Sequence, residues 1–355
     1  MNSLLLRWLL LPLALLLCLP PAVLAADHAT VFIYHRFGDG RYPSTNTSVA
    51  EFRAHLETLR RGNYAVLPLS EIIDRLRDGR PLPERCVALT VDDAYRSFLR
   101  GAVPLLREFD YPATLFVNTS EVGAPDCLSW AELRQLASDG IEIGNHSAAH
   151  GYLLDRRSGE PPELWRSRVK GEILQAQEEL RTHLGMTARL FAYPYGEFSR
   201  ELVELVKELG FAGAVGQQSG PLGRGQDLFA LPRFPAAGNY GSLADFQDRL
   251  RFKPLPLQVL APGTAPLLEG NPPEWRIRID TDLIDPRTLR CYAGGQAAVV
   301  RTVDAARGEY LIKARGALSE RRGKYTLTGT DRSGQWYWYS QLWVRPENGA
   351  VVQQR

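Results

Sequence analysis

The feature that most limits the fold is a regular alternation of short apolar runs with longer amphipathic runs between Thr30 and Gln217. Seven short runs predict strands: TVFIYH, AVLPL, CVALTVDD, ATLFVNT, IEIGNH, RLFAYP and FAGAVG. The segments between them have helical periodicity, and several begin with Ser and end with Gly, as helix caps do. This alternation predicts parallel strands joined by crossover helices. We therefore expect an α/β fold, an incomplete barrel of (β/α)7 type.

The pattern changes after this segment. Residues 253–273 are rich in Pro and Gly and predict a linker. Residues 274–355 contain short β-type runs with turn signals and no helical pattern, which predicts a small C-terminal all-β sandwich of immunoglobulin-like type. We expect the barrel domain to occupy residues 26–252 and an accessory domain to occupy residues 274–355.

Residues 1–25 have the features of a secretory signal peptide. Arg7 precedes an apolar stretch, and the small residues of VLAA predict cleavage after Ala25. The alternative is an uncleaved membrane anchor, but the apolar run is short and contains prolines. We expect an exported protein, periplasmic or secreted, with no stable membrane insertion after cleavage.

Charge and cysteine content narrow the function classes. Lys and Arg number 42 and Asp and Glu 40, with no basic block, so nucleic acid is not expected as a partner. Cys86, Cys127 and Cys291 remain after signal cleavage, and an odd number does not suit a disulfide scaffold. Whether Cys86 and Cys127 pair stays open. No two cysteines have zinc-ribbon spacing, so other residues must hold any metal.

Polar residues follow several predicted strands. His35 follows the first, Asp92 and Asp93 the third, His146 the fifth, and the YPYG run at 193–196 the sixth. The carboxyl ends of parallel barrel strands meet at one rim, where chemistry collects. We therefore expect these side chains to converge.

The HSAAH run adds a candidate metal site. His146 and His150 are four residues apart, so on a helical turn both rings would face the same way and could share one ion. The alternative is two unrelated surface histidines. With Asp93 the set has two imidazoles and one carboxylate, which leaves a position open for water, as a hydrolytic metal site requires.

TVDDA, HSAAH and FAYPYG resemble the first three motifs of the polysaccharide deacetylases, carbohydrate esterases of family 4 with NodB homology. The resemblance covers roughly Thr30 to Leu250. It is strongest to bacterial deacetylases of β-1,6-linked poly-N-acetylglucosamine, in which a histidine on the first strand replaces the one usually found near the domain's end. The resemblance implies metal-dependent hydrolysis of N-acetyl groups on a polysaccharide that contains N-acetylglucosamine.

The resemblance also implies roles for individual residues. Asp93, His146 and His150 resemble the metal ligands, most often of Zn²⁺, with Co²⁺ or Ni²⁺ as alternatives. Asp92 resembles the general base. One carboxylate would then bind the cation while its neighbour takes a proton.

Two further roles follow from the resemblance. His35 resembles the general acid that protonates the departing amine, a task suited to imidazole near neutral pH. The backbone N–H of Tyr195 resembles the oxyanion donor. The alternatives are a capping or core histidine at position 35 and an ordinary turn at YPYG.

Two positions depart from the family pattern. Ala94 replaces a Gly common after the paired aspartates, so we expect no positive φ there. Ala192 stands where many members have the Arg that steadies the base. Arg233, in ALPRFP, could substitute by pairing with Asp92, or it could lie on a solvated loop.

Aromatic residues offer sugar platforms or ordinary packing. Trp130 and Tyr240 could line a groove, although packing is the more frequent role of such residues. The QWYWYSQLW run, residues 335–343, alternates its aromatic side chains between two faces, and we expect core and interdomain packing. Alternative functions are a metal-dependent amidase acting on a non-polymer amide and a carbohydrate-binding protein without catalysis. The sequence does not identify any protein partner.

Overall fold

A computed structural model describes residues 25–263 and 270–347 of the chain. The predicted signal peptide lies outside these ranges except for its last residue, Ala25. Within the described ranges, no helix combines the length and apolar character needed to cross a bilayer.

Seven parallel strands form the centre of the first region. They are β1 (His28–Tyr34), β2 (Ala65–Val66), β3 (Cys86–Val91), β4 (Thr114–Val117), β5 (Glu142–Asn145), β6 (Leu190–Ala192) and β7 (Gly213–Val215). Their order in the sheet is β7-β6-β5-β4-β3-β1, and β2 pairs with the amino-terminal half of β3. All six residues of β3 are buried, and five of them are apolar, the exception being Thr90. The predicted mixed α/β architecture with parallel strands is confirmed.

The sheet curls so that its two ends approach each other. Two short strands also pair with β1. Strand β8 (Leu222–Gly223) is antiparallel to its amino-terminal end, and β9 (Phe234–Pro235) is parallel to its carboxyl half. The segment 228–236 spans the gap, because Ala214 N–H of β7 donates to the Leu228 carbonyl at 2.8 Å and Ala236 N–H donates to the Ile33 carbonyl of β1 at 3.0 Å.

Helices cover the outside of this curled sheet. They are α1 (Val49–Arg61), α2 (Leu69–Arg77), α3 (Val103–Phe109), α4 (Trp130–Ser138), α5 (Pro162–Leu184), α6 (Arg200–Glu208) and α7 (Leu243–Arg249). The six that the periodicity predicts are all present. Ser48 and Ser129 begin α1 and α4 with capping boxes, each of which stabilises its helix by about 1 kcal/mol. Helix α1 buries Phe52, Leu56 and Leu59 against the sheet.

The C-terminal β region, residues 253–344, contains two further sheets. Its strands are β10 (Lys253–Pro254), β11 (Leu257–Ala261), β12 (Glu274–Ile279), β13 (Arg290–Ala293), β14 (Gln296–Ala297), β15 (Val299–Asp304), β16 (Glu309–Lys313), β17 (Arg322–Thr330) and β18 (Trp336–Val344). One sheet has the order β10-β18-β17-β13-β14 and the other β11-β12-β16-β15. A shared apolar core includes Trp275, Ile277, Leu327 and Trp343.

The predicted linker differs from the structure at its amino-terminal end. Residues 253–261 form β10 and β11, which pair with β18 and β12. Pro254 and Pro256 lack backbone N–H groups, but the LQVLA run at 257–261 has no proline and supplies backbone hydrogen bonds at a sheet edge. The immunoglobulin-like topology and the domain boundaries stay predictions.

All three cysteines of the described residues are buried free thiols. Cys86 opens β3, whereas Cys127 forms a β-bridge with Tyr95, beyond the other end of that strand. A six-residue strand is roughly 20 Å long, so the two thiols cannot meet. The pairing left open by the sequence is not formed.

The aromatic candidates take packing positions or lie at the surface. Trp130 stacks on His183 with ring centroids 4.3 Å apart. Trp338 packs edge-on against Phe234 of the barrel region, and its Nε1–H donates to the Ser219 carbonyl at 2.8 Å. Tyr240 is 55% exposed and Trp336 is 49% exposed.

Candidate metal and catalytic site

The carboxyl ends of β3 and β5 bring three potential ligands together. Asp93 follows β3, and its Oδ1 lies 3.5 Å from His146 Nε2 and 3.3 Å from His150 Nε2. One ligand atom of each residue lies within 4.8 Å of the other two. The strand ends therefore assemble the two imidazoles and one carboxylate that the sequence suggested.

The chemistry of these atoms fits a divalent cation. His146 Nδ1–H donates to the Ala192 carbonyl at 2.8 Å, which leaves the Nε2 lone pair facing Asp93. Within the described residues, Asp93 Oδ1 and His146 Nε2 are buried without a hydrogen-bond partner. Each unsatisfied buried polar atom costs about 1–3 kcal/mol, and a cation bound between them would remove that cost. Nitrogen and carboxylate donors in this number suit Zn²⁺.

Charges around the ligands set their protonation. Burial alone would raise the pKa of Asp93, but the imidazoles of His146, His35 and His150 hold it well below its usual range. Burial lowers the pKa of His150 to about 4, and the charge of His146 acts in the same direction. Burial alone would lower the pKa of His146, but the carboxylates of Asp92 and Asp93 raise it. A bound metal needs the neutral imidazole, so a cation would displace a proton from His146.

The two histidines do not lie on a helical turn, so that part of the prediction was wrong. Residues 146–150 form a tight loop in which Ser147 has φ of 62° and His150 has φ of 53°. Ser147 N–H donates to Asn145 Oδ1 at 2.8 Å, and His150 N–H donates to Ser147 Oγ at 3.1 Å. These local side-chain hydrogen bonds stabilise the left-handed backbone. The ring centroids of His146 and His150 then lie 4.6 Å apart.

Asp92 is buried and paired with Arg233. The guanidinium donates from Nη1 to Oδ1 at 2.7 Å and from Nη2 to Oδ2 at 2.8 Å, and both side chains are 0% exposed. Burial alone would raise the pKa of Asp92, but Arg233 and then His146 lower it. Asp92 is thus an ionised carboxylate whose Oδ2 lies 3.8 Å from His146 Nε2.

Arg233 reaches Asp92 because segment 228–236 closes the curled sheet. Its Nε–H donates to the Gly216 carbonyl at 2.9 Å, and Nη1 donates to Thr90 Oγ1 at 3.1 Å. Of the two alternatives left by the sequence, the structure places Arg233 against Asp92 and not on a solvated loop.

The backbone after the paired aspartates is left-handed. Asp93 has φ of 73° and Ala94 has φ of 49°, so the expectation that Ala94 avoids positive φ was wrong. Leu128 N–H donates to the Ala94 carbonyl at 2.9 Å, and Arg96 N–H donates to the Asp126 carbonyl at 2.7 Å. These bonds offset a cost of about 1–2 kcal/mol for a left-handed alanine.

His35 and Tyr195 flank the ligands. His35 follows β1, is half-buried, and its charge contributes to the lowered pKa of Asp92 and of Asp93. The Tyr195 ring packs edge-on against His150 with centroids 4.6 Å apart. All seven site residues predicted from the sequence therefore lie around one rim of the sheet.

The Tyr195 turn is held in a left-handed conformation. Tyr195 has φ of 59° and ψ of 5°, and Gly196 has φ of 71°. A Cβ at position 196 would lie 2.5 Å from the backbone nitrogen of Gln217, so only glycine fits. Glycine at position 196 therefore allows the tight turn whose Tyr195 ring packs against the ligand His150.

Four residues around the site carry no pattern that would reveal them in the sequence. Tyr152 stacks on Tyr195, Arg322 donates to the Tyr195 carbonyl, and Arg321 pairs with Glu197, which directly follows the turn. The two arginines lie far from the turn in the sequence: Arg322 and Tyr195 are 127 positions apart.

Comparison with known proteins finds a family model that matches part of the chain. Residues 79–214 match the family model described as polysaccharide deacetylase. This matched segment contains Asp92, Asp93, His146, His150 and Tyr195.

A named relative matches a longer part of the chain. The chain is 28% identical over 247 residues to the poly-beta-1,6-N-acetyl-D-glucosamine N-deacetylase of Escherichia coli (strain K12), over 60% of this chain and 36% of that protein. The chain therefore spans little more than a third of that relative's length.

Solved structures show the same fold. IcaB from Ammonifex degensii superposes with a TM-score of 0.55 at 24% identity, covering 64% of this chain and 98% of that one. The Streptococcus pyogenes deacetylase PplD superposes with a TM-score of 0.57 at 19% identity, covering 63% and 98%.

Proposed function

We propose that this protein is an exported, zinc-dependent deacetylase that hydrolyses N-acetyl groups on a polysaccharide containing N-acetylglucosamine. The observation that carries the proposal is a buried, ionised Asp92 held by Arg233 beside the Asp93, His146 and His150 set. A protein that only bound sugar would need no such base next to a metal site.

Asp93, His146 and His150 would hold the cation. When bound, the ion supplies Lewis-acid polarisation of the acetyl carbonyl and lowers the pKa of the attacking water. The fixed Nδ1–H of His146 keeps its Nε2 aimed at the ion position.

The remaining residues act on protons and on the oxyanion. Asp92 accepts a proton from the attacking water, and Arg233 keeps this carboxylate ionised and oriented. The Tyr195 N–H donates to the oxyanion that forms on the acetyl oxygen. His35 donates a proton to the departing nitrogen, so acetate and a free amine result.

The substrate class rests on the relatives. The E. coli relative is named for its polymer, poly-beta-1,6-N-acetyl-D-glucosamine. We propose a polymer of that class for this chain, with a catalytic domain over residues 26–252 and an accessory β domain over residues 274–355, to whose sheets residues 253–261 contribute two strands.

The test is acetate release from poly-N-acetylglucosamine and from chitin oligomers by metal-stripped protein, with and without added Zn²⁺. We expect release only with the metal, loss in His146→Ala together with loss of zinc binding, and loss in Asp92→Asn with zinc binding retained. Asp248→Asn, at an exposed aspartate, is the matched control and should be active.

Two results would contradict the proposal. Tight zinc binding without acetate release from any N-acetyl polymer would favour a different amide or a binding protein. Full activity of Asp92→Asn would remove this residue from the role of base.

A further inference from the structure

A buried carboxylate directly follows the Tyr195 turn. Glu197 is 1% exposed, and its partner is Arg321, from the C-terminal β region. Arg321 Nε–H donates to Oε1 at 2.8 Å and Nη2–H donates to Oε2 at 2.7 Å. A two-point guanidinium–carboxylate contact fixes orientation as well as distance.

The same guanidinium holds a second loop of the site. Arg321 donates from Nη1 and Nη2 to the two carboxylate oxygens of Asp155 at 3.1 and 2.7 Å. Asp155 lies five residues after His150 in the loop that follows this ligand. One side chain therefore ties the loop of His150 to the loop of Tyr195.

Aromatic contacts complete the connection. The Arg321 guanidinium lies 4.0 Å above the Tyr152 ring, and Tyr152 stacks on Tyr195 with centroids 4.0 Å apart. Tyr195 in turn packs edge-on against His150. The contacts run without a gap from Arg321 to a metal ligand, which restrains both loops.

Arg322 adds a direct bond to the turn. Its Nη1–H donates to the Tyr195 carbonyl at 2.8 Å, and its Nε lies 3.8 Å from Glu197 Oε1. Because the backbone of Tyr195 is left-handed, a bond to its carbonyl opposes relaxation of the turn.

We propose that Arg321, supported by Arg322, is a positioning residue, so that the C-terminal β region forms part of the active site of the barrel region. Arg321 sets the relative placement of His150 and of the Tyr195 N–H without touching substrate. The kinetic part of this inference rests on the proposed deacetylase function, whereas the structural part does not. The rival interpretation is that the ion pairs only attach the β region to the barrel.

The experiment compares zinc-loaded full-length Arg321→Ala and Arg321→Lys with the control Arg278→Ala. Arg278 pairs with Glu309 inside the β region and contacts neither loop through its guanidinium. The measurements are kcat and KM on the polymer, zinc affinity, and hydrogen exchange of peptides that cover residues 150–155 and 193–199.

We expect Arg321→Ala to lower kcat about 10- to 100-fold, since small misplacement of reacting groups costs that much, with KM changed less than about threefold. Zinc affinity should fall about tenfold as His150 loosens, and exchange should rise in both loops. Arg321→Lys should be intermediate because it keeps the charge but not the two-point contact. Arg278→Ala should resemble wild type.

Wild-type kcat and wild-type exchange in both loops of Arg321→Ala would overturn the proposal. If that variant does not fold, Arg321→Lys and Glu197→Gln decide, and unchanged kcat and exchange in both would overturn it. If the wild type releases no acetate from any polymer, the proposed function fails, and loop exchange with zinc affinity still decides the positioning role.

Discussion

The carboxyl rim of the curled sheet and the C-terminal β region are built in opposite ways. At the rim, five non-glycine residues have left-handed backbone: Asp93, Ala94, Ser147, His150 and Tyr195. In the described part of the C-terminal β region, left-handed backbone occurs only at glycines. The rim also buries charges, whereas the β region buries apolar side chains such as Trp275 and Leu327.

This difference indicates which property each region's residues serve: the placement of functional groups at the rim, and stability in the β region. Non-glycine left-handed residues and buried charges lower stability unless neighbours compensate, so they persist where the placement of groups matters. The β region has a conventional apolar core and sends two arginines to the rim. Substitutions at the rim should therefore lower activity whether or not they also lower stability, whereas those in the β core should lower stability and leave activity unchanged.

The largest effect is expected from Arg233→Met. It leaves Asp92 buried without its cation, so we expect a loss of about 3–5 kcal/mol in the free energy of unfolding and at least about 100-fold in kcat. Denaturant unfolding and steady-state kinetics measure the two losses. Wild-type kcat in the folded fraction would contradict the role given to this pair.

A core substitution in the β region should lower stability without lowering kcat. Leu327→Ala removes a fully buried side chain, and we expect a loss of about 3 kcal/mol in the free energy of unfolding with kcat per folded molecule within about twofold. Unfolding curves and kinetics well below the transition test this. A large fall in kcat with unchanged stability would erase the contrast between the regions.

One buried histidine of the barrel region should make the stability of the protein depend on pH. His55 donates from Nε2 to the Gly241 carbonyl and accepts from Tyr34 at Nδ1, and burial lowers its pKa to about 4. In the unfolded chain the pKa of this histidine is about 6.5, so between pH 6.5 and 4 the unfolded state binds more protons than the folded state. The stability that neutral His55 contributes is therefore complete above pH 6.5 and is lost as the pH falls towards 4.

We expect that loss to reach about 3 kcal/mol, and His55→Asn to remove it from the pH profile. The difference between the two profiles, measured by denaturant unfolding from pH 7.5 to 4 with zinc present, isolates His55. Parallel profiles would show that His55 is not held neutral by burial.

The smallest effect tests the strain at the rim directly. Ala94→Gly should raise the free energy of unfolding by up to about 1 kcal/mol, because glycine adopts φ of 49° without the steric cost. Ala54→Gly in α1 is the control and should lower it by about 1 kcal/mol. Equal destabilisation by both would show that the Ala94 backbone is not strained.

The sequence alone determined the alternation of strands and helices, the parallel sheet, and the convergence of His35, Asp92, Asp93 and His146 at one rim. These follow from local periodicity and from the rule that parallel strands end together. Local periodicity also predicted the β character of the C-terminal part, although strand β13 and the edge strands β10 and β11 were not predicted.

Only the tertiary structure decided how the site is held. The loop of His150 is left-handed because Asn145 and Ser147 bond its backbone, and the spacing of four residues could not distinguish this from a helical turn. Arg233 reaches Asp92 through closure of the sheet, and Arg321 reaches Glu197 through packing of a separate region. Such contacts join residues more than 100 positions apart, and they depend on packing geometry, which local sequence patterns do not encode.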